Sequence, residues 1–190
     1  DFAHGFPQGL VQRVRSVPGV ERADNLLIQF LNLSLPNGAE EGMLVYGLED
    51  FTRWGMPWNI ESGDVRDLRR GAYMFLDASA ERRFGKFAVG DYREVMGRRV
   101  KIIGRSREAL SFTTSPIAFL TYDLVQELSG GRMDGRTTYI LVKLAPGAQD
   151  VLLEYHALGK RQGEGRLLVN GVEAVPTTAL SPTIIGVHVE

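Results

Sequence analysis

Two apolar-rich runs, Val20–Leu35 and Gly42–Leu48, flank Pro36-Asn37-Gly38, and no other feature constrains the fold as strongly. Leu27, Gln29, Leu31, Leu33 and Leu35 alternate with Ile28, Phe30, Asn32 and Ser34, the period of extended chain. Both sets carry large apolar residues, so the strand is expected to be buried in part on both faces. The Pro-Asn-Gly turn between two such runs predicts a β-hairpin.

Around this hairpin the chain alternates helical and extended patterns. Leu10, Val11, Val14 and Val17 share one helical face over Pro7–Val17, with Pro7 in the first turn and Pro18-Gly19 as the stop. Residues 49–70 mix Trp, Gly, Pro and charge without periodicity and read as a long connection with one short helical turn. Gly71–Asp77 is a strand candidate, after which Ser79 is placed to cap a short helix that Gly85 ends. Asp91–Val95 and Arg99–Arg105 bracket Met96-Gly97-Arg98 as strand, turn and strand. Thr121 caps a predicted helix with Leu124, Val125 and Leu128 on its buried face and Gly130-Gly131 at its end. Thr137–Leu144 is the clearest strand; Val151, Leu152, Tyr155 and Leu158 predict a second amphipathic helix, and Arg166–Val175 and Thr183–Val189 predict late strands. The order gives an α+β fold with a β-rich insertion and two lobes.

Composition removes several function classes. Lys plus Arg number 22 against 23 for Asp plus Glu, so no broad positive field exists to hold nucleic acid or anionic lipid. There is no cysteine, which excludes thiol catalysis, cysteine-ligated zinc and disulfides. No apolar run approaches the ~18 residues of a membrane span. The start at Asp1-Phe2, without Met, fits an excised piece or a processed form equally well.

Candidate chemistry is sparse. His4, His156 and His188 lie far apart, without metal-ligand spacing. Ser79 follows a strand and precedes a helix, but no Gly-x-Ser-x-Gly elbow surrounds it, and capping accounts for it. Glu40-Glu41 and the Asp64, Asp67 pair are adjacent only locally and are expected on solvated surface. Glycines 85, 90, 97 and 104 lie in strand and turn material, and no phosphate loop is present. Arg66, Arg69 and Arg70, and then Arg98, Arg99, Lys101 and Arg105, form basic clusters offset by nearby acids. Trp54 and Trp58, around Met56-Pro57, are large apolar groups in a segment without regular pattern, a residue type favoured at interfaces. Trp54, Met56 and Trp58 are therefore the candidate partner contact. No catalytic residue, cofactor or metal site is assigned, and the chain is read as a non-enzyme.

Five stretches taken in order carry a family resemblance: SVPGVERADNLL at 16–27, GMPWNIESGD at 55–64, FGKFAVGDYREVMGRRVKIIGRS at 84–106, TTSPIAFLTYDLVQEL at 113–128 and TTYILVKLAPGA at 137–148. Together they resemble the periplasmic core of MacB-type ABC-transporter permeases, most closely DevC-like exporters, over about residues 10–148. The resemblance implies a porter-like α/β lobe built from 1–50 and 110–175, an inserted β-rich, sabre-like lobe at 51–109, and an extension at 176–190. After LAPGA the wording VLLEYHALGKRQGEGRLLVNGVEAVP departs from the family, and the last stretch resembles the opening of a membrane-fusion adaptor.

What the resemblance implies is the periplasmic portion of an inner-membrane permease that docks a membrane-fusion adaptor and transmits conformational change. It also implies a permease homodimer in the membrane and a separate cytoplasmic ATPase subunit. Two other readings stand beside it: a free-standing periplasmic ligand-binding or adhesive protein that uses the Trp54 and Trp58 surface, and a hydrolase that uses a carboxylate pair or Ser79, with His156 or an acid meeting that serine in a cleft.

Overall fold

The computed structural model describes residues 5–109 and 116–148, together with the backbone of strands at 151–155, 163–169, 172–180 and 186–187. In chain order the elements are β1 (Phe6–Pro7), α1 (Leu10–Arg15), β2 (Val20–Ser34), β3 (Glu40–Leu48), β4 (Ile60–Ser62), β5 (Tyr73–Asp77), α2 (Glu81–Phe84), β6 (Tyr92–Val95), β7 (Arg98–Ser106), β8 (Ile117–Thr121), α3 (Tyr122–Leu128), β9 (Arg136–Thr137), β10 (Tyr139–Leu144), β11 (Val151–Tyr155), β12 (Gly163–Val169), β13 (Val172–Leu180) and β14 (Gly186–Val187). The α+β class expected from the sequence holds, with strands predominating. Two compact units result, one from Asp1–Leu26 with Gly135–Glu190 and the other from Leu27–Asp134.

In the first unit, β10 pairs antiparallel with the opening half of β2, from Tyr139 opposite Leu26 to Leu144 opposite Val20. Helix α1 supplies Val11 and Val14 to a core with Phe6, Val17, Ala23, Ile140 and Val142. Gly9 is the N-cap, so the helix begins later than expected, and Pro7 instead pairs in β1 with Arg136. The buried carboxylate of Asp24 is matched by Arg15, whose Nη2 donates to Oδ1 at 2.7 Å and whose Nε donates to the Ala23 carbonyl at 2.6 Å. The expected helix at Val151–Leu158 is corrected: Val151–Tyr155 is strand β11, paired with Gly165–Val169. Its Val-Leu-Leu-Glu-Tyr sequence suits a ladder opposite the apolar Leu167-Leu168 better than an isolated turn of helix. The strand expected over Arg166–Val175 is instead two strands, β12 and β13, paired antiparallel.

The second unit is a closed barrel. Strands run in the order β2, β3, β8, β5, β7, and β6 then pairs with both β7 and β2, so six strands return to their start. Two neighbour pairs, β3 with β8 and β5 with β7, are parallel. Alternation decides what fills it: Leu31 and Leu33 of β2, Met43 and Val45 of β3, Met74 and Leu76 of β5, Val95 of β6, Val100 and Ile102 of β7, and Ala118 and Leu120 of β8 form one buried cluster. Helix α3 adds Leu124, Val125 and Leu128, and α2 with its flanking turn adds Ala80, Phe84 and Phe87. Gly47 lets α3 approach closely, because a Cβ there would lie 2.8 Å from Cγ2 of Val125.

Asp77 at the end of β5 is fully buried and fully bonded. Its Oδ1 accepts from the Ser79 amide at 2.9 Å and the Ser79 hydroxyl at 2.5 Å. Its Oδ2 accepts from the Ser106 hydroxyl at 3.0 Å and the Ala109 amide at 2.8 Å. Asp77, not Ser79, is therefore the cap of the 3-10 turn Ala78–Ala80; the two oxygens of a carboxylate can accept all four of these bonds, more than one hydroxyl oxygen can. Thr121 does occupy the N-cap of α3, with no side-chain capping bond.

Candidate functional site

The segment 49–70, expected as a long connection, is built. Asp50 caps a 3-10 helix at Phe51–Trp54, its Oδ1 accepting from the Thr52 amide at 3.0 Å and hydroxyl at 2.6 Å. Gly55 closes that helix at φ +60°, a cis Met56-Pro57 bond follows, and Ile60–Ser62 pairs with the end of β7. Asp64 caps a second 3-10 helix, Val65–Arg70. No periodicity shows here because neither 3-10 helix exceeds two turns, and capping residues rather than apolar spacing define them.

This segment covers the outer face of β3, β8 and β5. Phe119 of β8 is its hub: the rings of Tyr46, Phe51 and Trp58 meet Phe119 edge-on with centroids 5.9, 5.8 and 5.8 Å away. Phe51, Leu68, Phe75 and Phe119 are buried, while Trp58 stays 37% exposed. Trp54 and Met56 are half-buried. The three candidate contact residues thus lie within one five-residue stretch, and Trp58 is anchored on the barrel wall. Beside them is a cavity of about 300 Å³ lined by Leu48, Phe51, Leu68, Arg66, Arg69 and Thr121, among others.

Ion pairs hold this cover in place. Arg69 Nη2 lies 2.9 Å from Asp50 Oδ2, Arg66 Nη2 2.5 Å from Asp64 Oδ2, and Arg70 Nη1 2.9 Å from Asp67 Oδ1. Glu61 of β4 is bound by Arg107 and by Arg105, which also reaches Glu81 at 2.9 Å. Partial burial opposes ionisation of Asp50, but bonds from Thr52 and the Arg69 and Arg53 guanidiniums outweigh it and hold its carboxyl below the usual value. Hydrogen bonding from Arg66 brings Asp64 down to about 2. Hydrogen bonding from Arg107 holds Glu61 low. These acids form structural pairs, which is why Asp64 and Asp67 do not converge on a cleft. Of the other local acids, Glu40 Oε2 accepts from Asn32 Nδ2 at 3.0 Å and Glu41 pairs with Arg83 at 2.9 Å.

The Ser79 hydroxyl donates a hydrogen bond to Asp77, and the histidine it would need, His156, lies outside the described residues, as do His4 and His188. Among the described residues no group of three His, Asp or Glu could hold a metal ion. Nor is any described helix long and apolar enough to cross a membrane.

Solved structures similar to this chain include domains of transport proteins. The extracellular domain of the noncanonical ABC-type transporter YknZ from Gram-positive bacteria superposes with TM-score 0.53 at 14% identity, over 67% of this chain and 68% of that one. The periplasmic region of MacB from Actinobacillus actinomycetemcomitans gives 0.56 at 12% identity, over 77% and 68%. A domain of a permease-like protein from Porphyromonas gingivalis gives 0.53 at 17%, over 77% of this chain and 65% of that one. No curated protein matches the sequence. At these identities the likeness shows the fold alone. Residues 2–154 match the model of the MacB-like periplasmic core domain, and the chain belongs to that family.

Proposed function

We propose that this domain is a passive lever outside the inner membrane, which docks a periplasmic membrane-fusion adaptor and conveys to it the movement of its permease. The observation that carries the reading is the ledge at 54–58: Trp58 braced edge-on by Phe119 yet 37% exposed, with Trp54 and Met56 half-buried beside it. Large apolar side chains fixed on a rigid support lose little freedom on binding, which is what an interface anchor requires. A lever needs a packed body with discrete arrangements, and a closed barrel resists gradual deformation.

In this reading the domain is the periplasmic portion of a homodimeric inner-membrane permease, and a cytoplasmic ATPase subunit drives it. The assignment of 1–50 with 110–175 as porter-like lobe, 51–109 as inserted lobe and 176–190 as extension belongs to the same proposal. It is supported by the concentration of 3-10 turns and the β6–β7 hairpin between Phe51 and Ser106. Against it, β5 and β7 share the barrel with β3 and β8, so 51–109 does not close on itself.

The test uses the full-length permease in membranes with its ATPase and adaptor. Replacing Trp54, Met56 and Trp58 together by Ala is expected to lower adaptor capture at least tenfold, with the domain still folded by circular dichroism. Undiminished capture by that folded variant would remove the ledge as the docking contact. A natural gene without a membrane span beside this region would remove the lever.

A further inference from the structure

Strand alternation sends Phe30, Asn32 and Ser34 of β2, Tyr92 and Glu94 of β6, and Arg99 and Lys101 of β7 to the barrel's outer side, opposite in sense to Leu31, Leu33, Val95, Val100 and Ile102. Unlike the face under residues 49–70, this wall is open: Phe30 is 55% exposed, Tyr92 46% and Met96 44%. Arg99 stands directly opposite Glu94 in the ladder, yet its guanidinium lies over the Tyr92 ring, 4.1 Å from the centroid. Lys101, opposite Tyr92, is 5.8 Å from the same ring. Two cations thus flank one exposed aromatic face, and neither has an acidic partner among the described residues, whereas Arg66, Arg69, Arg70, Arg83, Arg98, Arg105 and Arg107 all do.

We propose that the open wall of β2, β6 and β7 is a docking surface for an acidic segment of a partner protein, whose carboxylates engage Arg99 and Lys101 while an apolar side chain covers Phe30 and Met96. Charge complementarity selects this occupant. The basic pair is confined to β7, and Glu94 of the neighbouring β6 stands opposite Arg99, so a uniformly anionic lipid surface meets repulsion there that a segment with a few spaced carboxylates avoids. The size also fits. Ser34 is level with Glu94, which places Phe30 six residues along the strand from the Tyr92 row, or ~20 Å, the span of an extended segment of about seven residues. The surface is separate from the Trp54–Trp58 ledge and does not depend on the adaptor reading.

The test is fluorescence anisotropy with a labelled seven-residue peptide of alternating Glu and Leu, its Lys-and-Leu counterpart as control, and the full chain as receptor. The acidic peptide is expected to bind and the basic one not. Arg99→Glu with Lys101→Glu should weaken binding at least tenfold, and the milder Arg99→Gln with Lys101→Gln about threefold to fivefold. The same charge change at Arg13 and Arg82, outside this wall, should leave affinity within twofold. Equal binding of both peptides, or equal losses from the two sets of reversals, overturns the proposal. So does binding to phosphatidylglycerol vesicles with the same Arg99 and Lys101 dependence, or self-association in sedimentation that the same variants abolish. Both outcomes would assign the wall to another occupant.

Discussion

The barrel has two kinds of outer wall, and the same alternation produced both. Over β3, β8 and β5 the outward residues include Tyr46, Leu48, Phe75 and Phe119, and segment 49–70 packs on them through Phe51, Trp58, Gly63 and Leu68. Over β2, β6 and the start of β7 they are Phe30, Asn32, Tyr92, Glu94, Arg99 and Lys101, of which Phe30 and Tyr92 stay 55% and 46% exposed. A strand's inner set fixes that a barrel forms; the outer set decides whether a wall becomes a second core or stays a surface. The covered wall is therefore stabilised by burial, and the open one is free to be used in recognition.

The sharpest way to break this contrast is Phe119→Ala. Phe119 is fully buried and meets three rings, so its loss should cost about 3–5 kcal/mol in urea unfolding; a loss under ~1 kcal/mol would mean that the cover is not a core. Next is Gly104→Ala. A Cβ there would fall inside the contact envelope of the Phe75 ring, and displacing that ring should cost about 1–3 kcal/mol by the same measurement.

Acid sharpens the comparison. Asp50, Glu61 and Asp64 all have lowered folded pKa values, so their stabilisation is full above their ordinary values of 3.8 and 4.5 and is lost as pH falls through the lowered values, about 2 for Asp64. Tryptophan emission, which reports on Trp54 and Trp58 alone, should shift to the red within that window, and amide exchange in the cover should rise before that of β6. Simultaneous loss of both would make the cover inseparable from the barrel. The smallest effect is expected on the open wall: Tyr92→Ala should change stability by under about 1 kcal/mol, since it removes only exposed stacking with Arg99 and Lys101. A larger loss would show that the wall is structural.

Much of the fold was legible locally. The β2–β3 hairpin, the turn at Met96-Gly97, the strand at Thr137–Leu144 and the capped helix after Thr121 each declare themselves by alternation or capping within about ten residues. The closure was not legible, because β3 with β8 and β5 with β7 are parallel pairings between distant segments, and no local pattern names a distant partner. Ser79 was read as a cap because the strand-to-helix position is the same for Asp77, two residues earlier; only burial and bond count separate them. The Val151–Tyr155 strand was misread because apolar residues at 151, 152, 155 and 158 fit a helix as well as a ladder. Trp54, Met56 and Trp58 were found by residue type alone, and nothing in their spacing announced Phe119 as the brace.

The ring of strands is completed between β2 and β6 by the two rungs Leu33–Val95 and Ser34–Glu94, as few as the Phe75–Phe119 and Leu76–Ala118 rungs that join β5 to β8. The β5–β8 join lies beneath the aromatic rings gathered on Phe119, whereas the β2–β6 seam ends at the exposed Met96, so amide exchange at the seam measures how tightly the circle is fastened.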